Sequence, residues 1–154
     1  MKRATRRIGL FWMVILVAAV AIPGRTGAKE TVMVPMRDGV KLATDIHLPE
    51  GSGPWPTILV MTPYNRKGLE GLAVETGKRG YVLVAQDFRG RFESEGDDYP
   101  VFLSCGWGER QDGYDTVEWI AAQSWSNGKV GGWGLSAPGI ALNMTAPSRP
   151  PHLT

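Results

Sequence analysis

Cysteine occurs only once in the chain, at Cys105, which excludes an internal disulfide framework. No helix start or basic cluster lies beside it to stabilise a thiolate, so Cys105 is expected to be a partly buried structural thiol. Histidine is nearly as scarce, with His47 and His152 alone, and no group of histidine, cysteine and carboxylate has metal-ligand spacing. The glycine-rich stretch G-W-G-L-S-A-P-G at 132–139 lacks both the lysine of a phosphate-binding loop and the G-x-G-x-x-G spacing of a dinucleotide site. No metal and no cofactor are expected. Repeats and low-complexity tracts are also missing, and nothing in the composition marks a boundary between two domains.

Long apolar runs are absent too. The longest, residues 10–22, has 13 residues, short of the roughly 20 that a spanning helix needs. It follows Lys2, Arg3, Arg6 and Arg7 and precedes Pro23, Gly24 and the small residues Gly27 and Ala28. A basic start, an apolar middle and a small-residue end form the layout of a secretory signal peptide, so residues 1–28 are expected to be removed after Ala28. The protein is then exported, periplasmic or extracellular, with no membrane attachment after cleavage. With Arg25 the leader carries five basic residues and no acid, leaving 17 − 5 = 12 basic against 15 acidic residues. The formal charge thus passes from +2 to −3. No basic patch with interleaved aromatics remains, and nucleic acid is excluded as a partner.

What is present reads as α/β. Residues 31–36 and 40–48 flank the turn R-D-G and form an antiparallel hairpin. In the second strand Val40, Leu42, Thr44 and Ile46 share one face, and Lys41, Ala43, Asp45 and His47 the other, which makes it half-buried with His47 solvated. T-I-L-V-M at 57–61 and Y-V-L-V-A at 81–85 are unbroken apolar runs, as in parallel strands covered on both faces. Residues 68–79 supply a crossover helix stopped at Gly80. Asp115, with Glu118 three residues on, predicts the start of a second helix carrying Val117, Ile120 and Ala121 as its apolar stripe. A strand over 129–134 and a helix from Ala137 to Pro147 complete the pattern. N-M-T at 143–145 has the form of a glycosylation sequon but falls inside that helix.

Ser136 occupies the turn between the last strand and the last helix. A serine there has its hydroxyl raised at the sheet edge. Gly134 and Gly139 permit the tight turn, and the helix start aims N–H groups at an anion forming beside it. Pro138 suits the first helical turn, and the Ala137 N–H stays free to donate. The same serine could instead only cap the helix, and this pattern by itself leaves both readings open. Asp87, Arg89 and Arg91 follow the second buried strand, where a charged pair bracing a loop is expected ahead of an active-site role.

G-W-G-L-S-A-P-G, M-T-P-Y-N-R-K-G at 61–68, D-F-R-G-R-F-E-S-E-G at 87–96 and D-G-Y-D-T-V-E-W-I-A-A-Q-S-W-S-N-G-K-V-G at 112–131 stand in order. Together with the opening V-P-M-R-D-G-V-K-L-A-T-D-I they resemble the X-Pro dipeptidyl-peptidase and cocaine-esterase family of serine hydrolases. The resemblance covers nearly all of residues 30–154. It implies an α/β-hydrolase fold, of which residues 29–154 are the N-terminal part: a mostly parallel sheet preceded by an antiparallel hairpin, and incomplete. It also implies Ser136 as nucleophile, with the Tyr64 hydroxyl and the Ala137 backbone N–H as the oxyanion hole, acting on a small ester, amide or peptide. Many members of that family have tyrosine where this chain has Ala137; a backbone donor survives that exchange, while the ring's share of the pocket does not.

An activated serine needs a base and a carboxylate to orient it. His47 sits early, on the hairpin, and His152 lies beyond a helix about 15 Å long at 1.5 Å per residue, which carries the chain away from Ser136. In the α/β-hydrolase order the acid and histidine follow the serine, so both are expected past residue 154. Two functions stay open: an exported serine hydrolase working through an acyl-enzyme on Ser136, and a non-catalytic secreted fragment or binding remnant in which Ser136 only caps a helix. Part of a sheet also implies an exposed last strand.

Overall fold

The computed structural model describes residues 27–97 and 100–154. The expected leader, Gly27 and Ala28 apart, lies outside the described residues. Strand β1 (Lys29–Pro35) and strand β2 (Lys41–His47) form the expected hairpin, closed where the Gly39 N–H donates to Met36 O with Gly39 at φ 84°. Three further strands follow, β3 (Trp55–Thr62), β4 (Val82–Asp87) and β5 (Ser126–Gly132). The sheet order is β1-β2-β4-β3-β5. β4, β3 and β5 are mutually parallel, and the hairpin joins through an antiparallel β2–β4 pairing, so the sheet as a whole is mixed.

Both faces are used. Helix α1 (Glu70–Lys78) lies over β4 on one face, while α2 (Asp112–Ala121) and α3 (Ala137–Thr145) cover the other. Strand alternation decides the filling of the second face: Ile46, Leu59, Met61, Val82, Val84 and Val130 meet Val117 and Ile120 of α2 and Ala141 of α3. Each fully buried valine or isoleucine contributes about 1.5–3 kcal/mol relative to exposure. Trp119 of α2 also packs on Val34, Met36 and Leu42 and thereby ties the hairpin to the main core. On this face Gln86 donates to Thr44 Oγ1 (3.0 Å) and Thr116 donates to Gln86 Oε1 (2.9 Å), whereas the buried Thr57 hydroxyl has no protein partner among the described residues.

Four details differ from expectation. β2 is buried on both faces from Leu42 to Ile46, because the segment after β3 and the loop after β4 close over its second face. Helix α2 starts at Asp112, and Asp115 does not cap it; its carboxylate instead grips Arg37 of the hairpin turn (Arg37 Nη2 to Asp115 Oδ1, 2.7 Å). β5 starts at Ser126 and ends at Gly132, ahead of the expected span. The outer edge of β5 is also partly paired. Leu153 bridges Val130 in parallel, the Val130 N–H donates to His152 O and the Thr154 N–H donates to Val130 O, both at 3.0 Å.

The α2–α3 packing rests on Gly113, whose Cβ, if present, would lie 2.0 Å from Thr145 Oγ1 and 2.6 Å from Cys105 O. Gly71, inside α1, has open space around it. Gly113→Ala is therefore expected to lower stability by about 1–3 kcal/mol or more through overpacking. Gly71→Ala is expected to raise it by roughly 0.5–1 kcal/mol through helix propensity. Urea midpoints of the two variants should move in opposite directions.

Candidate active site

The site is built where three parallel strands end. In β5–α3 the chain leaves the sheet at Gly132, Trp133 N–H donates to Leu59 O (3.0 Å), and α3 begins at Ala137. Ser136, between them, has φ 58° and ψ −125°. A non-glycine residue in that region carries strain of about 1–3 kcal/mol and is held only because its surroundings dictate it. The surroundings are glycines. A Cβ on Gly134 would meet Pro138 Cβ at 2.4 Å and Gly139 N at 2.7 Å, one on Gly139 would meet Gly134 O at 2.8 Å, and one on Gly132 would meet Leu142 Cδ1 at 2.2 Å. The helix thus lies too close to the turn for a side chain at Gly134 or Gly139, while at Gly132 the Leu142 side chain fills the space.

The hydroxyl of Ser136 makes no capping hydrogen bond although the residue stands at the N-cap of α3. Its backbone is also outside the extended region that capping serines adopt. The side chain is exposed, whereas Ala137 behind it is 5% exposed. As the first residue of α3, Ala137 has an N–H with no acceptor inside the helix, and it points with the positive end of the helix dipole.

Tyr64 lies just past the end of β3, the neighbour of β5, and so at the same carboxyl edge. Its N–H donates to Thr62 Oγ1 (3.0 Å), and its ring is 63% exposed. Asn65 follows at φ 77°, its side chain accepting from the Lys67 N–H (3.0 Å). Arg66 then turns inward and is 1% exposed. Its Nε donates to Asp45 Oδ1 of β2 (2.9 Å), its Nη1 to Asp87 Oδ2 of β4 and its Nη2 to Glu93, while its backbone N–H donates to Asp87 Oδ1 (2.7 Å). Burial opposes the guanidinium charge, but Glu93, Asp45 and Asp87 more than offset it and hold its pKa above the usual arginine value.

Sequence reading missed this cluster. Asp45 looked like a member of a solvated face, and Asp87 was grouped with Arg89. Asp87 in fact serves Arg66. Arg89, 2% exposed, forms two-pronged pairs with Asp112 of α2 and Asp38 of the hairpin turn. The readable signal was the basic pair Arg66–Lys67 directly after a buried strand, opposite a strand with an inward aspartate.

The histidines are elsewhere. His47 is paired with Leu83 near the start of β4, at the amino end of the parallel strands. It is half-buried rather than solvated, and burial together with Lys29 lowers its pKa. His152 lies against Val130, with its Nδ1 2.8 Å from Glu118 Oε2 of α2. Neither meets Ser136 at the carboxyl edge. Cys105 is buried as expected, and burial, with Asp112 nearby, pushes its thiol up to about 12.

A sharp serine-bearing turn between the strand and helix at the carboxyl edge of this sheet order defines an α/β-hydrolase. The comparisons narrow the class. The family model described as X-Pro dipeptidyl-peptidase (S15 family) matches residues 38–154, and the chain belongs to that family. It is 37% identical over 133 residues to the cocaine esterase of a Rhodococcus species (strain MB1 Bresler), covering 82% of this chain and 22% of that protein. Among solved structures it is similar to an alpha-amino acid ester hydrolase, with TM-score 0.71 and 31% identity over 93% of this chain and 28% of the other. It is likewise similar to an aminopeptidase from a marine-sediment Thaumarchaeota archaeon, with TM-score 0.69 and 32% identity over 83% of this chain and 24% of the other. The chain spans less than a third of the length of each of these proteins.

The Glu93 carboxyl is held down to about 2, from 4.5, by Lys67 and then Arg66. A carboxyl pKa lowered on folding stabilises the folded chain fully above pH 4.5, and that contribution is lost as pH falls toward 2. In Glu93→Gln the fall in stability between these pH values should be shallower than in the parent, as read from thermal midpoints across an acid pH series.

Proposed function

We propose that the chain forms the nucleophile-bearing part of a serine hydrolase that cleaves small esters or amides, X-Pro peptide bonds among them. The observation that carries this reading is the strained, uncapped Ser136 at the edge it shares with Tyr64. In the proposed cycle the Ser136 hydroxyl attacks the carbonyl carbon and passes its proton to a base. The resulting oxyanion accepts hydrogen bonds from the Tyr64 hydroxyl and the Ala137 N–H. Collapse breaks the bond to the alcohol or amine, which leaves with the proton, and water then frees the acid from the acyl-serine. Two neutral donors aimed at a developing alkoxide suit this task, since neither needs to change charge during the reaction.

The base and its orienting carboxylate are proposed to come from outside residues 1–154, because His47 and His152 both lie away from Ser136. The non-catalytic reading draws support from that same separation and applies to the 154 residues taken alone. A fluorophosphonate probe separates the cases. The protein at its native length is expected to label, and Ser136→Ala to abolish labelling and hydrolysis. The 154-residue chain alone is expected not to label; labelling that disappears in its Ser136→Ala variant would place the base within these residues. Tyr64→Phe in the native-length protein should lower kcat by about 10²–10³ with KM little changed, the loss typical of one oxyanion donor.

Export is proposed on the basic–apolar–small pattern of residues 1–28, with β1 starting at Lys29 directly after the expected cleavage point. N-terminal sequencing of the exported protein should read K-E-T-V-M; a sequence that still starts at Met1 would show the leader retained.

A further inference from the structure

We propose that Arg66 is a positioning residue for Tyr64, acting through the single residue between them, Asn65, to hold the phenol at the edge shared with Ser136. The inference rests on the role given to Tyr64 under the proposed function. Tyr64 is 63% exposed, so packing does little to orient it, while Arg66 is 1% exposed and held by three separate parts of the fold. β2 contributes Asp45, β4 contributes Asp87, and the loop after β4 contributes Glu93. Asp87 grips both the side chain and the backbone N–H of Arg66, so the main chain itself is located at that point. On the other side of Tyr64, Thr62 is the final residue of β3 and takes the Tyr64 N–H. Asn65 between Tyr64 and Arg66 adopts φ 77°, a conformation asparagine tolerates better than other side-chain-bearing residues, and its carboxamide closes on the Lys67 N–H. The exposed tyrosine is therefore strung between two fixed points, one of which is the guanidinium.

The chemistry favours arginine here. A guanidinium offers five donors in a rigid plane and can meet three carboxylates in separate directions at once, which an ammonium cannot. Lys29 Nζ lies 3.2 Å from both Asp45 Oδ2 and Glu70 Oε1, and Lys67 Nζ lies 2.7 Å from Glu93 Oε1, so two outer lysines share the carboxylates that hold Arg66. The Arg66 side chain is 1% exposed and is engaged by three carboxylates, so it is not presented to a substrate at the surface. What it can control is the path of the chain that carries Tyr64. A donor displaced by about 1 Å can cost up to 10²-fold in rate.

The test is a double-mutant cycle in the protein at its native length, with hydrolysis of an aryl ester as the readout. Arg66→Lys keeps the positive charge but gives up the three-way grip, and kcat should fall by roughly 10- to 100-fold with KM within about twofold. In a Tyr64→Phe background, which has no hydroxyl to position, the same Arg66→Lys change should lower kcat by less than about twofold. Glu93→Gln loosens only the exposed arm of the cluster and leaves Asp45 and Asp87 in place. It should show a smaller kcat loss that Tyr64→Phe likewise erases, and it carries the cycle should Arg66→Lys not fold. Equal fractional losses in the two backgrounds would mean that Arg66 only supports the fold and would overturn the inference, as would no loss from either variant. If Tyr64→Phe itself leaves kcat unchanged, the oxyanion role of Tyr64 fails and takes this inference with it, whatever Arg66 does.

Discussion

The guanidinium of Arg66 lies where β2, β4 and the segment leaving β3 converge, and its burial among carboxylates constrains the Tyr64 segment at the carboxyl edge of the sheet. A buried charge is tolerable only when paired and fully hydrogen-bonded, and removing one partner of such a pair typically costs about 3–5 kcal/mol. The buried Asp45 and Asp87 are therefore tied to each other through Arg66, with Glu93 closing the exposed side. That arrangement joins the hairpin, which is antiparallel, to the parallel strands, and it sets the point from which the Tyr64 segment departs. Arg89 repeats the device one layer away, joining the hairpin turn at Asp38 to the start of α2 at Asp112. Two buried arginines thus stitch the early hairpin to later parts of the fold, Arg66 to β4 and the loop after it and Arg89 to α2, where apolar contact alone would leave the relative slide of the elements poorly defined.

The second constraint is steric. α3 approaches the turn after β5 so closely that Gly134 and Gly139 cannot carry a side chain, and Leu142 of α3 packs over Gly132. Bringing the helix in at that distance forces the single residue at the apex, Ser136, into a strained backbone, with its hydroxyl outward and free of the cap role that its position would otherwise give it. Close packing, strain and exposure of the hydroxyl are one geometric fact. The helix dipole and the unpaired Ala137 N–H follow from the same placement. Electrostatics at the Tyr64 segment and sterics at the Ser136 turn are independent causes, and they act at the ends of adjacent strands.

The open face of the sheet carries a different message. Ile58 of β3 is half-buried and borders an opening that Leu72 of α1 and the 45%-exposed Trp133 also line, and Leu135 is 76% exposed. Leu153 and Thr154 meanwhile run beside Val130 in the direction a further parallel strand takes. Apolar surface and strand edge are both presented at one border of the described residues, on a chain that spans less than a third of its relatives.

Much of this could be read directly from the sequence. Apolar runs of the length of β3 and β4, an alternating hairpin and a glycine-flanked serine are local patterns, and local patterns report local structure. Residue order alone therefore determined the α/β class, the α/β-hydrolase resemblance, the strand–turn–helix around Ser136 and the inertness of Cys105. What it could not determine was which charges meet. Asp45 and Arg66 are far apart in the chain, and only the β2–β4 pairing brings the aspartate beneath the arginine; Asp87 turned from its near neighbour Arg89 to Arg66 for the same reason. Asp115 likewise left its helix start for Arg37 of the hairpin. Strand order, a property of the whole sheet, decided that Asp45 and Asp87 meet at Arg66. The tertiary structure also settled that His47 and His152 sit apart from Ser136, since the distance between two side chains depends on which edge of the sheet each strand presents, and no stretch of sequence encodes that edge by itself.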